Sequence, residues 1–189
     1  MLDTAISPSP VRTRLGQVTI GTAVVAGAAN AALAAVQVLA PAQPASGHHF
    51  VRPTDYLIEA LFATSLLAAA GAVALLAKYH RERSRWGAFG TIAATAYALG
   101  TGLSGISSAL TAIRGTETLD LIQFPAIGLW LVAGLLMAIA VVRARLLPVV
   151  TGLGFAAALP AAMALGHAGP FALALLWLAV AALLPKQAR

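Results

Sequence analysis

The sequence predicts an all-α polytopic membrane protein, a bundle of six transmembrane helices, on three observations. Only 10% of its residues are charged, against about 25% in ordinary soluble chains, too few to cover a water-facing surface. Hydrophobic residues make up 60%, mean hydropathy is +0.87, and the apolar runs reach the roughly 20 residues that cross a hydrocarbon core. The basic residues stand at the ends of those runs. Despite a net charge of +6 and a pI near 10.8, no single basic patch exists to grip a nucleic acid. The absence of cysteine removes disulfides and thiolate metal ligation. The weight of Ala, Leu, Gly and Arg fits a GC-rich bacterial genome.

The first helix is expected at 17–40. The polar stretch before it holds Pro8, Pro10, Arg12 and Arg14, and the apolar run is too long for a signal-peptide core, so an uncleaved first span is expected. Pro41, Pro44 and Gly47 stop it, and Pro53 with Thr54 starts the second helix, at 55–79. The run KYHRERSRW separates that helix from a third at 86–112. RGTETLD precedes the fourth, at 121–142, and RARLLP precedes the fifth, at 147–166, which Pro160 should kink. A corner from Gly166 to Pro170 leads into the sixth, at 169–185. The expected organisation is a cytoplasmic segment 1–16, one transmembrane domain 17–185 and a cytoplasmic tail 186–189.

The charges set an expected orientation. Arg12, Arg14, Lys78, Arg81, Arg83, Arg85, Arg143, Arg145, Lys186 and Arg189 all fall on one side of a six-span topology, leaving Arg52 and Arg114 opposite. Basic loops stay in the cytoplasm, so both termini are expected there, in a cell membrane.

The titratable groups collect at the other side: His48, His49, Asp55, Glu59, Glu117, Asp120 and His167. Asp55 and Glu59 are four residues apart on one face of the second helix, with Glu59 about 6 Å deeper. An ionised acid at the edge of the hydrocarbon costs a few kcal/mol, so Glu59 must be protonated, paired or turned into a polar interior. On the third helix Tyr97, Thr101, Ser104, Ser108 and Thr111 recur at helical spacing and lead toward Arg114. Asn30 and Gln37 share a face of the first helix, and Gln123 and Pro125 begin the fourth. These faces are expected to line one outward-opening pocket with Glu59 near its mouth, joined by Phe50, Tyr56, Phe62, Tyr97, Phe124 and Trp130.

Each group also has a plainer reading. Membrane serines and threonines bond backbone carbonyls or neighbouring helices. Tyr56, Trp86 and Trp177 suit an interfacial belt. Asp55 suits a helix amino terminus, His48 and His49 a solvated loop, and Arg114 with Glu117 or Asp120 a surface pair. Glu59 has no such ordinary role.

The expected function is therefore a membrane-embedded enzyme in which Glu59 is a general acid acting on an apolar, lipid-soluble small molecule. Protonating an alkene or epoxide needs a carboxyl that still holds its proton, and nearby aromatic faces stabilise developing positive charge. Asp55, His49 and Arg52 are candidates to position or reprotonate it. Tyr56, Phe62, Tyr97, Thr101, Ser104, Ser108, Arg114, Asp120, Gln123 and Phe124 are candidates to bind substrate. A proton-coupled carrier, or a non-catalytic subunit docking another membrane protein, is the alternative. No HExxH-type spacing or phosphate loop occurs, so neither metal nor cofactor is expected.

In size, helical layout and acids near one membrane face, chiefly in RPTDYLIEALF and RGTETLD, the chain resembles small bacterial integral-membrane terpene cyclases. That resemblance implies a cyclase or isomerase initiating isoprenoid chemistry with a proton. It assigns no residue. The stretch FPAIGLWLVAGLLMAIAVVRARLLP is equally similar to uncharacterised six-span bacterial proteins, which implies architecture alone.

Overall fold

The computed structural model describes residues 10–40, 50, 52–82, 86–115, 120–145 and 147–184, without the side chains of 10–13 and 120. It contains six helices: α1 (Pro10–Leu39), α2 (Pro53–Arg81), α3 (Gly87–Arg114), α4 (Asp120–Ala144), α5 (Val149–Ala164) and α6 (Pro170–Leu183). A 3-10 turn, Gly166–Ala168, joins the last two, and no strand occurs among the described residues.

Local chemistry sets the ends. Pro53 occupies the first turn of α2, where its missing N–H costs nothing. Lys78, His80 and Arg81 fill the last turn of α2, where cations meet the negative end of the helix dipole. Gly115 closes α3 in the left-handed conformation, at φ 67°. Gly166, at φ 56°, turns the chain out of α5. Five of the six expected helices match within four residues at each end. The first begins seven residues earlier, at Pro10, because a proline at a helix start supplies the break that was expected to keep the chain irregular.

Each helix packs on the next in sequence, and α6 packs back on α1, closing a ring. Small residues bring the helices close, as in membrane helix pairs. A Cβ on Gly100 of α3 would lie 2.8 Å from the Trp130 backbone nitrogen, and one on Gly134 of α4 2.6 Å from the Phe155 carbonyl oxygen. At the centre Tyr97 meets Trp130, Phe155 and Trp177 edge-on, with ring centroids 6.2, 5.4 and 6.4 Å apart. Trp86 and Trp177 are buried, at 3% and 1% exposure, which corrects their expected place in an interfacial belt. Trp86 stacks on His80 at 5.1 Å, and Trp177 fills the space between α5 and α3.

Among the described residues, four helical segments are long and apolar enough to cross a membrane: Arg14–Leu39, Pro53–Arg81, Leu121–Ala144 and Gly166–Leu183. The 28-residue α3 is long enough, but its Gly, Ser and Thr lower its hydropathy. The 16 residues of α5 rise only about 24 Å, less than the roughly 30 Å of a hydrocarbon core.

Candidate functional site

A cavity of about 290 Å3 lies where five of the helices converge. Helix α1 contributes Leu33 and Gln37; α2 contributes Ile58, Glu59 and Phe62; α4 contributes Gln123, Ile127 and Trp130. The remaining wall is apolar, from Leu159, Ala162 and Met163 of α5 and Pro170 and Leu173 of α6. All these positions lie toward one end of the bundle. It is the end where α1 and α5 finish and where α2, α4 and α6 begin.

The lining is sorted by depth. Gln37 is two residues from the end of α1, Gln123 three from the start of α4 and Glu59 six from the start of α2. At 1.5 Å per residue they stand about 3, 4 and 9 Å below their helix ends. Trp130 is ten residues into α4 and Phe62 nine into α2, so the aromatic surface is about 14–15 Å down. The mouth is polar and the floor aromatic. Behind Trp130 stands Tyr97, hydrogen-bonded to the Trp130 side chain, so the floor is held by the central ring cluster. Prolines interrupt the two helices beside the cavity, Pro125 in α4 and Pro160 in α5. Each leaves a carbonyl, of Leu121 and Ala156, without its helical N–H donor.

Of the described candidate catalytic residues, only Glu59 lines the cavity. Asp55 is buried, at 7% exposure, and is used locally. The Arg52 backbone N–H donates to Asp55 Oδ2 at 3.1 Å, the Asp55 N–H donates to the Arg52 carbonyl at 3.0 Å, and the Arg52 guanidinium stands 3.7 Å from Asp55 Oδ1. The two residues therefore close the start of α2 as a reciprocal cap, and neither lines the cavity. His49 lies outside the described residues.

Of the candidate binding residues, Phe62 and Gln123 line the cavity and Tyr97 supports it from behind. The polar face of α3 does not reach it, contrary to expectation. Thr101 is buried and its hydroxyl donates to the Tyr97 carbonyl at 2.9 Å. Ser104 and Ser108 are buried as well. Their small size serves the packing of α3 against α2 and α4, while α6, by closing on α1, supplies the wall that α3 was expected to form.

Tyr56 is 41% exposed and meets the Phe50 ring edge-on at 5.3 Å. The Phe50 N–H donates to the Gly115 carbonyl at 2.8 Å, so Tyr56 belongs to a clasp between the start of α2 and the end of α3. Arg114 is exposed at the end of α3, and Phe124 faces outward at 70% exposure. Asp120 begins α4, but its side chain lies outside the described residues. Asn30 is buried with its amide donating to the Ala26 carbonyl at 2.9 Å, and it is absent from the lining. His167 is exposed in the 3-10 turn.

Gln37 was legible as a polar residue on the α1 face but not as lining the same cavity as Glu59. The apolar α5 and α6 wall carried no signal at all. No three of His, Cys, Asp or Glu gather into a metal-binding group among the described residues.

Comparison with family models, curated proteins and solved structures finds no match to this chain. Function has to be argued from the cavity.

Proposed function

We propose that the six helices form a membrane bundle with both termini in the cytoplasm, and that the cavity is the active site of an enzyme acting on a lipid-soluble molecule. The observation that carries this reading is the position of Glu59, a carboxyl-bearing residue lining a cavity with two amides at its mouth and aromatic rings below. An intramembrane acid needs such a polar recess to be tolerated. A volume near the lower bound of ligand pockets suits a small molecule, or the terminal unit of a longer chain whose remainder lies in lipid.

The chemistry is acid-initiated isomerisation or cyclisation. Glu59 gives its proton to an alkene carbon or epoxide oxygen, and positive charge develops on carbon. The faces of Phe62 and Trp130 stabilise that charge, while Gln37 and Gln123 hold a polar end of the substrate at the mouth. For an alkene, the Glu59 carboxylate then removes a proton from the carbon beside the cation, forming a new double bond and restoring the acid. Nothing is consumed, so no cofactor is needed. A carrier would need its polar groups near the bilayer midplane, whereas these three stand near one end.

The test is expression of the wild type and Glu59→Gln in the same host, with lipid extracts compared by mass spectrometry. The wild type should yield a compound of the same elemental composition as its precursor but a different retention time. The variant should lose it while accumulating to the same level with the same helicity. Conversion that survives in the variant removes Glu59 as the acid. Movement of an unaltered compound across sealed vesicles would replace the enzyme with a carrier.

A further inference from the structure

We infer that the protein carries a binding site for one anionic phospholipid at the end opposite the Glu59 cavity. A groove of about 410 Å3 runs between the second half of α2 and the first half of α3. Lys78 and Arg81 stand at its rim; they are three residues apart on one face of α2 and both are exposed. No acidic residue lines the groove among the described residues. Below the cations its walls are mainly apolar, with Ala74 and Ala77 on one side and Ala94, Ala98 and Leu99 on the other, beside Thr91 and Thr95 of α3; the Thr91 hydroxyl donates to the Gly87 carbonyl of its own helix at 3.1 Å.

The two parts of the groove fit the two parts of one ligand. A guanidinium grips phosphate oxygens through paired N–H groups, and an ammonium adds a point charge beside it. From Arg81 to Ala74 is seven residues, or about 10 Å along the helix, the course of an acyl chain beneath its headgroup. A free phosphate would use the rim and leave that apolar length empty, so the geometry selects a lipid. Further cations mark the same end: Arg14 of α1 and Arg143 and Arg145 at the end of α4 are exposed. Basic recesses between helices on the cytoplasmic side are suited to anionic headgroups. The inference rests on the bundle lying in a bilayer and is independent of the chemistry proposed for Glu59.

The test places the purified full chain in phosphatidylcholine nanodiscs and measures how strongly it immobilises spin-labelled phosphatidylglycerol relative to spin-labelled phosphatidylcholine. A cation held against an anionic headgroup is worth about a five-fold preference, so the wild type should favour phosphatidylglycerol by at least that factor. Lys78→Gln with Arg81→Gln should bring the ratio close to one. Ala74→Trp, which fills the groove without changing charge, should do the same, while Arg143→Gln with Arg145→Gln should keep the preference. Circular dichroism confirms that each variant folds. A wild-type ratio near one, a preference that survives the Lys78 and Arg81 changes, or an equal loss on changing Arg143 and Arg145 would each overturn the inference. The last result would show diffuse attraction to the basic end instead of a site.

Discussion

Asp55 and Glu59 share a helix face and a side-chain chemistry, yet the fold gives them different tasks. One turn from the start of α2, Asp55 finds the unsatisfied N–H of Arg52 and takes it. Glu59, a further turn down, lines the cavity. Asp55→Ala should therefore lower thermal stability by about 1 kcal/mol, as loss of a cap does, with the conversion proposed for Glu59 intact in the folded fraction. Asp55→Asn keeps an oxygen to accept the same hydrogen bond and should unfold close to the wild-type temperature. Both are read by thermal unfolding in detergent alongside product formation. If Asp55→Asn kept its stability and lost conversion, the Asp55 charge would have to act in the chemistry. Glu59 was legible in the sequence because an acid within an apolar run has few places to go. The α3 hydroxyls misled because a threonine that bonds its own i−4 carbonyl, as Thr101 does, has the same sequence spacing as one that binds a ligand.

At the level of elements, helix identity was readable and helix partnership was not. Prolines, glycines and charge runs mark where helices stop, and those marks act locally. A membrane helix, however, is apolar toward lipid and toward its neighbours alike, so it lacks the polar stripe that tells a soluble helix which face to bury. Closure of α6 on α1, and with it the α5–α6 wall of the cavity, therefore left no periodic trace. Glycines are a better guide to partnership, since they stand where backbones approach. Gly100→Ala sets a methyl group 2.8 Å from the Trp130 backbone nitrogen, an atom that cannot rotate aside. The helices must part, at about 1–3 kcal/mol for such overpacking, and Trp130 must shift within the cavity floor. Gly100→Ala is thus expected to lower the unfolding temperature and slow conversion together. Gly21→Ala, whose new methyl group would meet nothing within 4 Å, should do neither. Equal behaviour of the two variants would mean that the close α3–α4 approach is not a constraint.

For the whole molecule, the proposed membrane bundle allows α5 and α6 two placements, a full crossing of the bilayer or a re-entrant dip. Helix α5 is short for a full crossing, and its Pro160 loosens it further, yet the Glu59 cavity needs both helices at the same end as the starts of α2 and α4. In a six-span bundle the 3-10 turn at His167 reaches the outer face. In a re-entrant hairpin it stops within the membrane. The chain has no cysteine, so single cysteines report position without background. Leu121→Cys marks the start of α4, where the native residue is 93% exposed. Arg143→Cys marks the opposite end and His167→Cys the turn, both at exposed positions. With a membrane-impermeant maleimide added to intact cells, Leu121→Cys and His167→Cys should label, and Arg143→Cys should label only after the membrane is opened. Labelling of Leu121→Cys without His167→Cys would make α5 and α6 a re-entrant pair, leaving the apolar wall of the cavity inside the bilayer with its turn sealed from water. Labelling of Arg143→Cys from outside would invert the bundle and move the acid to the cytoplasmic face.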